Sequence, residues 1–325
     1  MKQAMYYNAD GDAVRCFLCP HNCLIKPGRT GLCRVRRNEG GVLYSMNYGR
    51  ITAFHIDPIE KKPLYHFYPG SRILSVGSFG CNLKCSFCQN FSIAQGTPDW
   101  VEMSPRDLAD RAKSFGDNLG IAYTYNEPSI WYEYVLDTAR FVKEGGLKNV
   151  LVTNGYIGAE ALRELLPLID AANIDVKAFS DGFYSSVCSG RLSPVLETVE
   201  AMAGQCHVEV TTLVVEGLNS EPGEIDALAR WLAGIDRKIP LHLSRYYPAY
   251  HMKRSATPLR VLEAAGEVAK KHLDHVYIGN VPGIDNSTYC PGCGQKLVER
   301  SIYRARVLFE GEKCNQCGMK ADITL

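Results

Sequence analysis

Three cysteines stand close together, Cys81, Cys85 and Cys88, with three residues and then two between them. Most simple iron–sulfur clusters take four thiolates. Three on one loop can hold three irons of a cubane and leave the fourth iron open to a chelating ligand. The plain alternative is a zinc site, but structural zinc wants four ligands, and no fourth lies nearby in the chain. Two other sets of thiols stand apart from this one. Cys290-Pro-Gly-Cys293-Gly and Cys314-Asn-Gln-Cys317-Gly are two CxxCG knuckles. Their separation is that of a zinc ribbon and is close to that of a rubredoxin-type iron site, so a tetrahedral four-thiolate ion is expected, with zinc preferred to iron. Cys16, Cys19, Cys23 and Cys33 form an N-terminal set. Thiolates suit both zinc and an auxiliary [4Fe–4S] cluster; zinc is slightly preferred, and His21 can replace one cysteine. Cys188 and Cys206 fall outside the sets and read as buried small apolar residues.

The elements that must position these groups alternate between strand-like and helix-like runs. Strands are expected at 72–77, 120–125, 149–153, 173–176, 207–215, 241–244 and 275–278, where β-branched and apolar residues concentrate. Helices are expected from Ser104-Pro105 onward, over 129–143 up to Gly145-Gly146, and at 159–166, 192–202, 224–232 and 258–273. Repeated strand-then-helix order implies parallel strands joined by right-handed crossovers. The expected fold class is α/β, a partial (β/α) TIM-like barrel, with a doubly wound sheet as the competing architecture. Polar and glycine-containing runs (SFGCN, YNEP, TNG, DVK) punctuate the strand ends, and in such barrels the carboxyl ends of the strands carry the active face. The expected division is an N-terminal extension with its four-cysteine metal site at 1–70, the barrel at 71–283, and a small zinc-ribbon or rubredoxin-like module at 284–325.

Composition sets the outer limits. The chain has 325 residues, 46% of them apolar and 22% charged, with a net charge of +1. That length can bury a sizeable core, and that charge gives no sign of a polyanion partner. No run reaches the roughly 18 to 20 apolar residues of a membrane span, and the N-terminus lacks a signal-peptide layout. A cytoplasmic location and no membrane partner are expected, and thirteen cysteines in the reducing cytosol then argue for metal ligation rather than disulfides.

The stretches CFLCPHNC, DPIEKKPLYHFYPG, GCNLKCSFCQN, TYNEPSIWYEY, VTNGY, NIDVKAF, SRYYPAY, YIGNVPG and STYCPGCG run nearly from end to end. On them the chain resembles the radical S-adenosylmethionine (SAM) enzymes related to pyruvate formate-lyase activating enzyme and, within that group, the radical SAM enzyme of the AmmeMemoRadiSam system. The resemblance implies a [4Fe–4S] cluster on Cys81, Cys85 and Cys88, with the amino and carboxylate groups of SAM on the open iron. An electron from the cluster would then cleave SAM to a 5′-deoxyadenosyl radical. Cofactor-binding residues implied at matching positions are Phe87, Asn126, Glu127, Thr153, Asn154, Asp175, Lys177 and Val214. Asn126-Glu127-Pro128 stands where the family's glycine-rich GGE motif meets the SAM amino group, but with Tyr125 and Asn126 in place of two glycines. Asp175 and Lys177 resemble a DLK element and, two apart, share one strand face. His242, Arg245, Tyr246 and Tyr250 are candidates for substrate contact. Implied partners are a low-potential electron donor of flavodoxin or ferredoxin type, Memo-like and AMMECR-like proteins, and a protein or RNA substrate. Activation of a glycyl-radical enzyme is one alternative. An electron-transfer or nucleic-acid-docking protein without SAM chemistry is the other.

Overall fold

The computed structural model describes residues 1–301 and 304–325. Its core is one eight-stranded sheet: β1 (Ala53–Pro58), β2 (Arg72–Gly77), β3 (Asn118–Tyr123), β4 (Lys148–Thr153), β5 (Ala171–Asp175), β6 (His207–Val214), β7 (Leu241–Arg245) and β8 (Val276–Gly279). The strands lie side by side in chain order. From β2 to β8 every pairing is parallel, and β1 joins β2 antiparallel. Strict sequential order is what repeated strand–helix crossovers of one hand produce. The sheet is open, with β1 and β8 at its two edges, so closure into a complete barrel is not seen among the described residues. Since β1 belongs to this sheet, the sheet begins ahead of residue 71.

The longer helices on the crossovers are α1 (Pro105–Ser114), α2 (Tyr132–Glu144), α3 (Ala159–Leu165), α4 (Ser193–Ala203), α5 (Pro222–Asp236) and α6 (Leu259–Ala269). α1 starts as its sequence dictates, with Pro105 in the first turn and the Ser104 hydroxyl accepting from the amide of Asp107. α2 buries Tyr132, Val135, Leu136, Ala139 and Val142, the spacing of one helical face, and stops at Gly145-Gly146, with Gly146 at φ +75°. The largest apolar cluster runs through sheet and helices, including Leu74, Val76, Ile121, Ile174 and Val210, and a second, of Ile59, Leu64, Phe67, Ile73, Ala122, Val150 and Ala171, packs on the same sheet. None of the described helices is long and apolar enough to cross a membrane.

The N-terminal residues form two small three-stranded sheets, one of them Tyr7–Asp10, Ala13–Cys16 and Leu24–Ile25. A buried ion pair, Arg36 to Glu133 at 2.9 Å, ties this region to α2. At the other end, Thr288–Tyr289, Lys296–Ser301 and Arg304–Val307 make a three-stranded antiparallel sheet with its own small core of Cys290, Leu297, Val298, Phe309, Cys314 and Ala321.

Candidate active site

The carboxyl ends of β2 to β7 open into one cavity of about 350 Å³. Cys81, Cys85 and Cys88 line it, on the loop that leaves β2. So do Phe87, Asn126, Glu127, Thr153, Asn154, Asp175 and Lys177. Val214 does not; it is fully buried, and Leu213 faces the cavity with Thr211 from β6 and Ser244 from β7. Side chains alternate along a strand, so 211 and 213 share the inner face and 214 points away.

Glu127 is the keystone of the strand ends. Its buried carboxylate accepts from Thr153 Oγ1 at 2.7 Å and from the amides of Asn154 (2.8 Å) and Ser129 (2.9 Å). Burial pushes its pKa up, and these bonds offset only part of that. Asn154 in turn reaches Asn82 Oδ1 at 2.9 Å and the Cys81 sulfur at 3.7 Å. Asn126 clamps the cysteine loop: its side chain donates to the carbonyl of Gly80 and accepts from the amide of Ser78. Tyr125 takes φ +70°, a left-handed backbone that tyrosine rarely adopts. Its hydroxyl donates to Asp57 at 2.8 Å, and the Lys62 ammonium lies over its ring. Burial raises the Asp57 pKa, but bonds from Lys62 and Tyr125 outweigh it and hold the carboxyl well below its usual range.

The three thiols differ in environment. Burial raises Cys81, and the Glu127 carboxylate adds to this. Burial and the neighbouring Cys85 raise Cys88. Cys85 is lowered, first by a hydrogen bond with the Cys188 thiol and then, against burial, by the Lys177 cation. Lys177 is held 2.5 Å from Asp175. Burial works against its charge, but Asp175 and Cys85 keep its pKa raised. The pocket thus sets the Lys177 cation beside Cys85 and Cys88, and Lys61 and Lys62 also line it.

Cys188 is fully buried in the core, as its sequence setting suggested, and it lies against Cys85 from behind the cavity. It closes a π-helical turn, Tyr184–Cys188, before Ser189 at φ +59°. The Cys188 and Val187 carbonyls accept from the amides of Lys84 and Ser86, so the turn braces the cysteine loop from behind. π-Bulges cluster at functional sites, but nothing in the local sequence periodicity announces one.

The candidate substrate contacts separate. His242 lies at the floor of the sheet, 2.6 Å from the buried Glu209, which also accepts from His207 and from the amides of Tyr65 and His66. Arg245 donates to the carbonyl of Thr257, and the buried Tyr246 donates to that of Met252. These three hold structure together rather than facing the cavity. Tyr250 stacks on the exposed Phe91, three residues beyond Cys88, and the amides of His251 and Met252 both donate to Ser86 O.

Of the two flanking sets, the C-terminal one closes: Cys290, Cys293, Cys314 and Cys317 have sulfurs all within 4.8 Å of one another. The amide of Cys317 draws the Cys314 thiol down to about 7, ready to ligate at neutral pH. The thiols of Cys16, Cys19, Cys23 and Cys33 interact electrostatically at the edge of the N-terminal sheets.

Residues 75–232 match the Radical SAM superfamily model, which spans β2 to α5. The whole chain aligns, at 42% identity, with the whole of an uncharacterised protein of Methanocaldococcus jannaschii. The pyruvate formate-lyase-activating enzyme of Clostridium pasteurianum is 26% identical over 60% of this chain and 85% of its own length. In fold, the chain is similar to Streptococcus suis SuiB bound to S-adenosylmethionine, with a TM-score of 0.53 and 12% identity over 65% of this chain and 52% of that one. A three-cysteine loop at the head of a parallel sheet, matched by family model and relatives alike, makes this chain an enzyme of the radical SAM superfamily, with homologues that activate glycyl-radical enzymes.

Proposed function

We propose that the cavity at the strand ends binds a [4Fe–4S] cluster through Cys81, Cys85 and Cys88 and holds SAM against it. The observation that carries this is the meeting of three thiols from one loop with the Lys177–Asp175 pair in a single cavity. The donor set fits: three sulfurs, the Lys177 cation beside them and, among the described residues lining the cavity, no fourth cysteine to close the last iron. When bound, the cluster supplies the electron that splits SAM into methionine and a 5′-deoxyadenosyl radical. The chain's part is to orient. Asp175 and Lys177 present one negative and one positive group to the zwitterionic methionine end of SAM. Glu127 fixes Thr153 and Asn154 in the wall, and Phe87, buried against Phe183, keeps water from the thiols.

The radical so supplied would abstract hydrogen from a macromolecular substrate. The relatives named as activating enzymes favour a partner protein's glycine. The C-terminal four-thiolate site holds zinc, and the open sheet curves as a partial barrel around the inward column of Glu209, Thr211 and Leu213. The wider setting is the cytoplasm, with a flavodoxin- or ferredoxin-type donor and Memo-like or AMMECR-like partners of the AmmeMemoRadiSam system. Anaerobic reconstitution with iron and sulfide, reduction and addition of SAM tests the chemistry. 5′-Deoxyadenosine should form with the native chain and not with Cys81→Ala. A correctly assembled cluster that yields none, and whose EPR signal ignores SAM, would sink the proposal.

A further inference from the structure

Residues 59–70, between β1 and β2, run along the floor of the sheet and are gripped from both sides. On the sheet side, the Glu209 carboxylate accepts from the amides of Tyr65 and His66, both at 2.7 Å. Asn173 Nδ2 donates to Pro63 O at 2.8 Å. On the other side the grip belongs to the C-terminal module. The Thr324 amide donates to His66 O, and Thr324 O accepts from the amide of Tyr68, both at 2.8 Å. His66 Nδ1 lies 2.7 Å from Asp322 O, and its Nε2 lies 2.7 Å from the Tyr277 hydroxyl on β8.

Arg300 is the centre of this grip. It stands on Lys296–Ser301, the middle strand of the module's sheet, and is 7% exposed. Its guanidinium donates to Tyr65 O, to Asn286 O at 3.2 Å and to Thr288 Oγ1 at 2.6 Å, and it lies 4.6 Å over the Tyr65 ring. A planar fork reaches several acceptors at once where an ammonium is a point charge.

The gripped segment also opens on the active cavity, which Lys61 and Lys62 line. Lys62 bonds to Asp57 at 2.9 Å and covers the Tyr125 ring. Tyr125 precedes Asn126, which clamps the cysteine loop at Ser78 and Gly80. Only Pro63, with its fixed φ, and the fully buried Leu64 separate Lys62 from Tyr65, so a displaced Tyr65 displaces the cavity wall. The module in turn is only as firm as its metal. Its core is six residues, two of them the thiols Cys290 and Cys314, and a core so small depends on its ion to fold.

We propose that the C-terminal module is a clamp on the SAM cavity, with Arg300 as its positioning residue. With the ion bound, the module holds Lys61, Lys62 and the Tyr125 turn in place; without it, SAM binds more weakly. The inference rests on the radical SAM reading above, which is what puts SAM in this cavity.

SAM titrations of the reconstituted full chain, read from the EPR shift of the reduced cluster, test it beside hydrogen exchange over 59–70. Arg300→Met and Cys293→Ser/Cys317→Ser should each bind SAM at least about tenfold more weakly, the worth of one charge-assisted bond in an equilibrium constant. Exchange over 59–70 should rise in both. Arg300→Lys should fall between native and Arg300→Met, and Arg306→Met, exposed in the same module, should match the native chain. Faster exchange or a lower melting temperature with unchanged SAM affinity would overturn the inference, reduce the module to a stabiliser of the fold and leave the function standing. A native chain whose assembled cluster ignores SAM would overturn both. Should Arg300→Met fail to fold, Arg300→Lys decides alone.

Discussion

Replacing Glu127 by glutamine tests whether the strand-end lattice positions the cysteine loop. The carboxylate takes three donors: Thr153 Oγ1, the amide of Ser129 and the amide of Asn154. Glutamine in its best orientation keeps its oxygen towards Thr153 and Ser129 and turns its NH₂ towards the Asn154 amide. One bond to a charged group becomes a donor facing a donor, a loss of about 1.5–3 kcal/mol. At about 2 °C per kcal/mol for a chain of this size, the melting temperature should fall by roughly 3–6 °C. Asn154 then loses its hold, and with it the contacts to Asn82 and Cys81. If the whole loss falls on the SAM complex, cleavage slows up to about 100-fold. Thr153→Val removes one neutral partner and should cost about half as much. The assays are thermal unfolding of the metal-free chain and anaerobic formation of 5′-deoxyadenosine. A Glu127→Gln protein that melts and turns over as the native one does would refute the idea that this carboxylate shapes the site.

Glu209 predicts an acid limb of stability. Burial raises its pKa, but bonds from His207 and His242 outweigh this and hold the carboxyl well below its usual range. A depressed folded pKa contributes stability above the unfolded value of about 4.3, lost as pH falls through the folded one. Glu209→Gln should therefore flatten the acid limb below about pH 4, and unfolding curves of both proteins from pH 7 to 3 would show it; identical slopes would refute it. Stripping the C-terminal ion with a strong chelator removes on the order of 10 kcal/mol from a small module. Hydrogen exchange over 288–325 should rise while β3 and β4 stay protected, and an unchanged pattern would count against a metal there. Cys188→Ala removes a weak donor from Cys85 worth about 0.5–1.5 kcal/mol, so the cluster's midpoint potential should fall by roughly 20–60 mV. An EPR-monitored redox titration reads this directly, and an unmoved midpoint would reduce Cys188 to packing.

The order of strands and helices was legible because each element carries its own period, and parallel strands follow from that alternation; that they lie in chain order and not in a doubly wound order is set by the sheet itself. Which face a residue takes depends on register, and there a slip of one position matters. Val214 lies next to Leu213 in sequence but on the opposite side of β6. Pairings between distant residues left still less trace. Glu209 and His242 are thirty-three positions apart and meet only because β6 and β7 are neighbours, so a histidine on a late strand reads as a substrate contact when it is a floor. Cys188 is buried as expected, but its neighbour Cys85 was not foreseen, since that meeting is set by the π-helical turn and not by any spacing of cysteines.

Tyr125 holds a backbone conformation that its own side chain disfavours. Glycine adopts a left-handed turn easily, whereas this chain holds tyrosine there at φ +70°. Such a conformation costs of order 1–3 kcal/mol unless its surroundings fix it. Here Asp57 and Lys62, both buried and both from the segment after β1's midpoint, bind the hydroxyl and cover the ring. The DPIEKK stretch, which has no counterpart in the cysteine motifs, therefore acts on the same cavity as they do. A strained turn at the end of β3 and a buried ion pair at the end of β1 are one device, and neither is explained without the other.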